Sequence, residues 1–259
     1  MTKKLFLAAC IAVMALTGCK KDPQPEPTPE PTPEPQTVSL LSSVVYKSVL
    51  STGFEAKVMY CCSWENGKLI QVVDSTFLPF GNAFVTVENL IYENGKHVRT
   101  EETNGGWQHY FTYDDDGMLK TFVDINENDT LFSGEVIAFN ADGKVEEVIY
   151  HSTYSTKRYH FTWEDGDAVL LERYLTSADG TVDTLTDNIV YDGKTSAYTG
   201  IPLSASLIGN DVTFILDRIS KHNVFDASYT YNYDEKDRLV SKVKENDSTF
   251  YYYIEQTIE

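Results

Sequence analysis

The chain has 259 residues, 42% of them hydrophobic, including 13 Phe, 3 Trp and 17 Tyr, which is enough for one large folded domain or two small ones. Its formal net charge of −18 at pH 7 sets it against nucleic acid and anionic lipid headgroups as direct partners. Past the first twenty residues no apolar run approaches the length of a membrane-spanning helix.

The first element is an address. Lys3 and Lys4 precede an apolar run from Leu5 to Leu16, the length of a signal-peptide core and too short to span a bilayer. The run ends in Leu16-Thr17-Gly18-Cys19. This resembles a bacterial lipobox, in which small residues precede a Cys that receives a diacylglyceryl group and becomes the new N-terminus. The resemblance implies that residues 1–18 are a lipoprotein signal peptide and that Cys19 is lipidated. The membrane is then a partner through the lipid, since two or more acyl chains, at roughly 0.8 kcal/mol per buried methylene, hold a protein stably. Losing Lys3 and Lys4 leaves the mature chain at −20.

Residues 19–37 follow as a linker. From Asp22 to Gln36 the chain reads DPQPEPTPEPTPEPQ, which offers nothing to a core and favours polyproline II. At about 3.1 Å per residue it makes a semi-rigid spacer of roughly 40 Å. Lys20-Lys21-Asp22 places one acid just after the lipidated Cys, a partial match to exposed lipoproteins. The expected location is the outer membrane or cell surface, with the periplasmic face as the alternative.

The remaining residues, 38–259, carry a degenerate repeat. An aromatic anchor is followed by an acidic or Asn run, usually Gly, then often Lys and an apolar residue. Copies begin at Trp64, Tyr92, Tyr113, Phe139, Trp163, Tyr191 and Tyr233, and the last, Tyr233-Asp234-Glu235-Lys236-Asp237-Arg238-Leu239, lacks its Gly. Asn-Gly and Asp-Gly supply the positive φ angles of tight hairpin turns. Alternation on both sides supplies the strands, as in Trp107, His109, Phe111 and Tyr113 on one face. The expected fold is all-β: an antiparallel up-and-down sheet of about a dozen or more strands, rolled or closed into a soluble barrel-like form. Charged residues in or beside strands, among them Lys120, Asp124, Glu146, Arg158, Glu172, Lys242 and Lys244, are read as a wet outer surface, unlike a lipid-facing barrel.

The repeat resembles the tyrosine/aspartate repeats of bacterial surface and wrapping proteins. With the lipobox and the Pro-Glu spacer, the chain resembles an uncharacterised Bacteroidota lipoprotein domain family of unknown function, described as having a porin-like fold. The resemblance spans roughly residues 40 to 255.

Between Tyr191 and Tyr233 the rhythm breaks. Within Gly200–Val224, Val212, Ile215, Leu216 and Ile219 fit helical spacing with Asp211 in cap position, while the β-branched content favours a strand. This insertion is read either as a cap over the sheet or as a plug or ligand loop.

Candidate chemistry is sparse. Cys61 and Cys62 are neighbours on a strand and point to opposite faces, which favours two separate small side chains over a strained vicinal disulfide. Asp124 to Glu135 begins like a calcium loop, but Asp129 stands where Gly is required, so a polar hairpin is expected and no metal. Nucleophile-elbow, zinc-protease and phosphate-loop motifs are missing, so no catalytic residue and no cofactor is assigned; a glycan-degrading enzyme is the third choice. Asp-Ser/Thr followed by Thr or an apolar residue occurs at Ser75, Thr130, Thr184 and Ser248. This is similar to the O-glycosylation motif of exported Bacteroidota proteins, and equally to the turn preference of Asp, Ser and Thr. Trp107, which follows Gly105-Gly106 outside the anchor position, and Tyr251 and Tyr253 are the candidate ligand-binding rings. The leading expectation is a lipid-anchored protein that binds a glycan, peptide or envelope partner, with a purely structural envelope component as the alternative.

Overall fold

The computed structural model describes residues 36–258 except 50–52, 79–80, 82, 104–105, 128 and 208–211. The signal peptide, Cys19, nearly all of the linker, Gly105 and Asp211 lie outside the described residues.

The chain runs through β1 (Gln36–Val49), β2 (Glu55–Glu65), β3 (Lys68–Phe77), β4 (Ala83–Glu93), β5 (Lys96–Glu102), β6 (Trp107–Tyr113), β7 (Leu119–Asn126) and β8 (Asp129–Phe139). It continues through β9 (Val145–Ser152), β10 (Ser155–Glu164), β11 (Asp167–Ser177) and β12 (Val182–Asn188), each pairing with the strand before it. Next come β13 (Tyr191–Thr195), α1 (Leu203–Ser206), α2 (Val212–Ile219) and β14 (His222–Val224). The chain finishes with β15 (Thr230–Tyr233), β16 (Leu239–Lys244) and β17 (Asp247–Ile258).

The all-β expectation holds: fifteen strands form one antiparallel sheet, and β13 and β14 form a second, two-stranded one. The up-and-down order breaks once. After β12 the chain crosses to the far side of β1, where β17 pairs with β1 and β16 and β15 follow. The sheet is therefore open, with β12 and β15 as its edges, and not a closed barrel. It is rolled nonetheless, because the β13–β14 hairpin is bonded to both sides of the gap. On one side Tyr191 Oη donates to Ala168 O (2.9 Å) and Lys221 N–H to Gly166 O (3.1 Å). On the other, Tyr231 Oη donates to Val224 O (3.3 Å) and Lys194 Nζ pairs with Asp237 Oδ1 (2.7 Å).

The repeat has a physical meaning that its residue types only hint at. Asn66-Gly67, Asn94-Gly95 and Asp165-Gly166 hold paired positive φ angles, the geometry of a two-residue hairpin turn. In the last copy Asp237 takes the left-handed position itself, at φ 59°, and Asp234 Oδ1 accepts the N–H groups of Lys236 and Arg238 to brace it. Beside the anchors Trp64, Tyr92, Tyr113, Phe139, Trp163 and Tyr233 the register shifts, as at a β-bulge. Five rings then reach back to a backbone carbonyl just past the preceding turn. Trp163 Nε1 donates to Val145 O (2.8 Å), Tyr92 Oη to Leu69 O (2.8 Å), Tyr113 Oη to His97 O (2.7 Å), Tyr191 Oη to Ala168 O (2.9 Å) and Tyr253 Oη to Leu239 O (2.8 Å). Trp64 does the same with Leu41 O on β1 (2.7 Å).

Where a cation follows the turn it completes the stitch. Lys68 lies over Tyr92 (5.9 Å to the ring centroid), Lys96 over Tyr113 (5.1 Å), Lys144 over Trp163 (5.6 Å) and Arg238 over Tyr253 (4.7 Å). Each hydrogen bond is worth about 1 kcal/mol and each cation–ring contact about 0.5–1 kcal/mol at such exposure. Most consecutive repeats are thus tied to one another along the turn end of the roll; the Phe139 copy, with no polar atom on its ring, makes no such hydrogen bond.

The crossing segment lies inside the roll. Leu207, Ile215 and Leu216 pack with Phe111, Phe122, Val148, Tyr150, Phe161 and Leu171 from β6 to β11. Ala197 and Tyr198 pack with Leu41, Val44, Leu239 and Tyr251 from β1, β16 and β17. The helical spacing of Ile215, Leu216 and Ile219 is what forms, and β structure is confined to His222–Val224. His97 fastens α1 to β5: its Nδ1 lies 2.7 Å from Ser204 Oγ and its Nε2 lies 2.9 Å from Thr100 Oγ1. Burial pushes the imidazole down to about 4, so it is neutral at pH 7.

Candidate functional site

The end of the roll away from the repeat turns is lined differently. There, alternation along β16 aims Lys242 and Lys244 inward, opposite Thr249 and Asp247 of β17. Tyr46 and Ser48 of β1 share that face, because they pair with Thr249 and Asp247 across the other side of β17. Tyr46, Ser48, Lys242, Asp247 and Thr249 line a cleft of about 370 Å³ with Tyr229 and Asp217, and Lys244 stands beside it over the Tyr229 ring. Asp217 reaches it from α2.

The charges in this cleft are only loosely compensated. Asp217 is 8% exposed; its Oδ1 accepts Val224 N–H at 3.2 Å, and its Oδ2 stands 3.9 Å from Lys242 Nζ, beyond hydrogen-bond range. Burial pushes its carboxyl above the ordinary carboxylate value, and Lys242 offsets part of that rise. Lys244 Nζ is 3.7 Å from Asp247 Oδ2 and sits over the Tyr229 ring at 4.5 Å. Ser48 Oγ donates to Asp247 Oδ1 (2.6 Å), and Tyr46 and Tyr198 share a hydroxyl hydrogen bond (2.8 Å) beneath the cleft. Burial drives Tyr46 up to about 12, so it stays a neutral hydroxyl.

A second polar group stands on the same concave face along β3 to β7. The register puts Asp74 beside Tyr60, Glu88 beside Glu102, and His109 beside Asp124. His109 Nδ1 is 3.0 Å from Asp124 Oδ1, both side chains being nearly buried. Burial raises the Glu88 and Asp74 carboxyls; the charges of His109 and Arg218 lower Glu88 in part. Among the described residues no group of three His, Cys, Asp or Glu side chains is arranged to hold a metal ion.

Trp107 belongs to this face. It shares the alternation of His109 and Phe111, pairs with Asn126, and is half-buried near the mouth. The other two candidate rings do not serve. Tyr251 is 3% exposed and packs edge-on against Tyr198, so its ring is walled inside the core. Tyr253 makes the contacts of a repeat anchor, held by Leu239 O and Arg238. Tyr252, 51% exposed, is the member of the triplet that points outward.

Other sites are also re-ranked. Ser75 is 6% exposed between its cross-strand neighbours Met59 and Val85, so a glycan has no room there in the folded chain. Ser248 is half-buried, and Thr130 and Thr184 are exposed. Asp124 faces His109 inside while Glu135 faces His151 outside, so the calcium-like loop is a hairpin whose ends diverge. Cys61 and Cys62 are free thiols, and burial pushes Cys62 up to about 11, far from thiolate. The wet-surface reading holds for Arg158 and Glu172, which form outer ion pairs, and fails for Asp124, Lys242 and Lys244, which point inward. The signal that could have found the inward set is register: Lys242 and Lys244 are each an even number of residues from the turn-flanking, core-facing position of β16 once its bulge at Asn232/Tyr233 is counted.

A scan against protein-family models finds no match for this sequence, and a search of curated proteins finds none.

Proposed function

We propose that this protein is exported, held on an outer membrane or cell surface by acyl chains on Cys19, and binds a saccharide in the cleft at the mouth of the roll. The observation that carries the reading is Asp217, a nearly buried carboxylate facing open space with its cation 3.9 Å away. Buried polar groups without close partners are costly, by about 1–3 kcal/mol each. A polyhydroxyl ring donates to a carboxylate and accepts from an ammonium at once, so it fits between Asp217 and Lys242. Tyr229 adds aromatic surface, and Ser48 and Thr249 add hydroxyls, the mixture expected of a small-ligand site. The resemblance to a lipoprotein family supports the location.

The test is a glycan array followed by calorimetry on any hit, with wild type, Lys242→Ala and Trp107→Ala. Binding by wild type that falls about tenfold or more in Lys242→Ala supports the reading. An array silent for wild type sinks it and leaves a purely structural envelope role ahead.

A further inference from the structure

The two edges of the large sheet are treated unequally. Beside β15, Tyr231 Oη bonds Val224 O and accepts Asp226 N–H (2.8 Å), and Tyr233 Oη reaches Asp192, so the small hairpin shields that edge. β12 has no such cover among the described residues. It pairs with β11 in unbroken register from Leu170↔Asn188 to Thr176↔Val182, and its one further bond is the ion pair of Asp187 with Arg173 (2.7 Å). Its residues are exposed along nearly the whole length, with Val182 at 56% and Leu185 at 50%.

Exposed edges are usually blunted by Pro, Lys, a bulge or extreme shortness. β12, seven residues reading VDTLTDN, has no Pro, Lys or bulge; its one device of that kind is the pair of inward acids Asp183 and Asp187, which disfavour a strand that brings no cation. A row of unpaired backbone groups on a regular strand is a template for another strand. The side chains say which. On the concave face the order is Asp183, Leu185, Asp187, opposite Leu175, Arg173 and Leu171 of β11. Asp187 is already matched by Arg173, and among the described residues no cation pairs with Asp183. Directly opposite residues on paired strands interact, and like charges there repel. A second copy of this chain would bring another −18 and another acidic strand.

We propose that β12 is a β-augmentation site for an extended segment of another protein that carries basic residues on either side of an apolar one, in the alternating order basic, any, apolar, any, basic. The partner strand continues the sheet past β12, sets its cations opposite Asp183 and Asp187, and covers Leu185. This site is separate from the cleft and stands whether or not a saccharide binds there.

The probe is the peptide Thr-Lys-Thr-Val-Thr-Lys-Thr, blocked at both ends and labelled for anisotropy. Its control has Pro in place of the two Thr that flank Val, which keeps the charge and removes ladder donors. With the full chain purified in detergent, the probe is expected to bind at least tenfold tighter than the control and to slow amide exchange within 182–188. Asp183→Lys, an exposed change that leaves the fold intact, is expected to weaken the probe by about tenfold. Equal binding of probe and control, or undiminished binding by Asp183→Lys, overturns the proposal. So does a stable dimer of the free protein whose 182–188 amides are already protected, since the edge then belongs to a second copy.

Discussion

The two ends of the roll are made from the same strands and obey opposite rules. At the turn end most repeats tie a ring to a neighbouring repeat, several with a cation over it, and polar atoms there find partners in the backbone. At the mouth the same alternation aims Lys242, Lys244 and Asp247 inward, toward Asp217 from α2, with separations of 3.7–3.9 Å between opposite charges. The contrast teaches that stability is concentrated where the stitches are. The mouth can then hold groups that cost stability, as binding sites commonly do.

The comparison can be broken from the stitched end first. Trp163→Leu removes a ring, its bond to Val145 O and its contact with Lys144, and is expected to cost about 3–4 kcal/mol in urea denaturation. A loss under 1 kcal/mol would mean the anchors do not carry the fold. Next comes pH. The folded-state His97 pKa lies at about 4, below its ordinary 6.5, so between these values the unfolded chain binds the proton and the folded one does not. Stability from this group therefore falls as pH drops from 6.5 to about 4, by roughly 2–3 kcal/mol in all. The raised carboxyls of Asp217, Glu88 and Asp74 act the other way, favouring the folded state in acid. The difference between wild type and His97→Asn isolates the imidazole, and parallel pH profiles would refute its role.

Smaller effects sharpen the contrast. Tyr92→Phe leaves Leu69 O without its donor and is expected to cost about 1 kcal/mol, seen as a shift in urea midpoint. At the mouth, Asp217→Asn keeps an acceptor for Val224 N–H and removes a poorly solvated charge. It is expected to leave stability unchanged or raise it by up to about 1 kcal/mol at pH 7. Because the Asp217 pKa is raised in the folded state, that gain should vanish in acid, where wild type is protonated as well. A clear loss at pH 7 would place Asp217 among the structural groups.

Much of the stitched end could be read from residues alone. Asn66-Gly67 and Asp165-Gly166 announce their turns because few other pairs reach those φ angles. The aromatic anchors and the lysines stood out as a pattern, but their mutual contact is between repeats, and a linear motif does not show which neighbour it meets. The mouth was misread for a different reason. Bulges beside the anchors shift the register by one residue, which reverses the face of everything beyond. Hence alternation alone sets Lys242 and Lys244 on the outer surface. Ser75 looked available because exposure depends on Met59 and Val85 across two ladders. The return of β17 to β1 joins the two ends of the described chain, a pairing no local signal encodes.

That return has a mechanical consequence. β1 begins at Gln36 on the stitched end and stays bonded to β17 as far as Ser48, near the mouth, with β2 alongside. Tension applied between Gln36 and the opposite rim runs along the strand axes. Force then acts on β1 in shear, across many hydrogen bonds at once, and cannot peel them one by one.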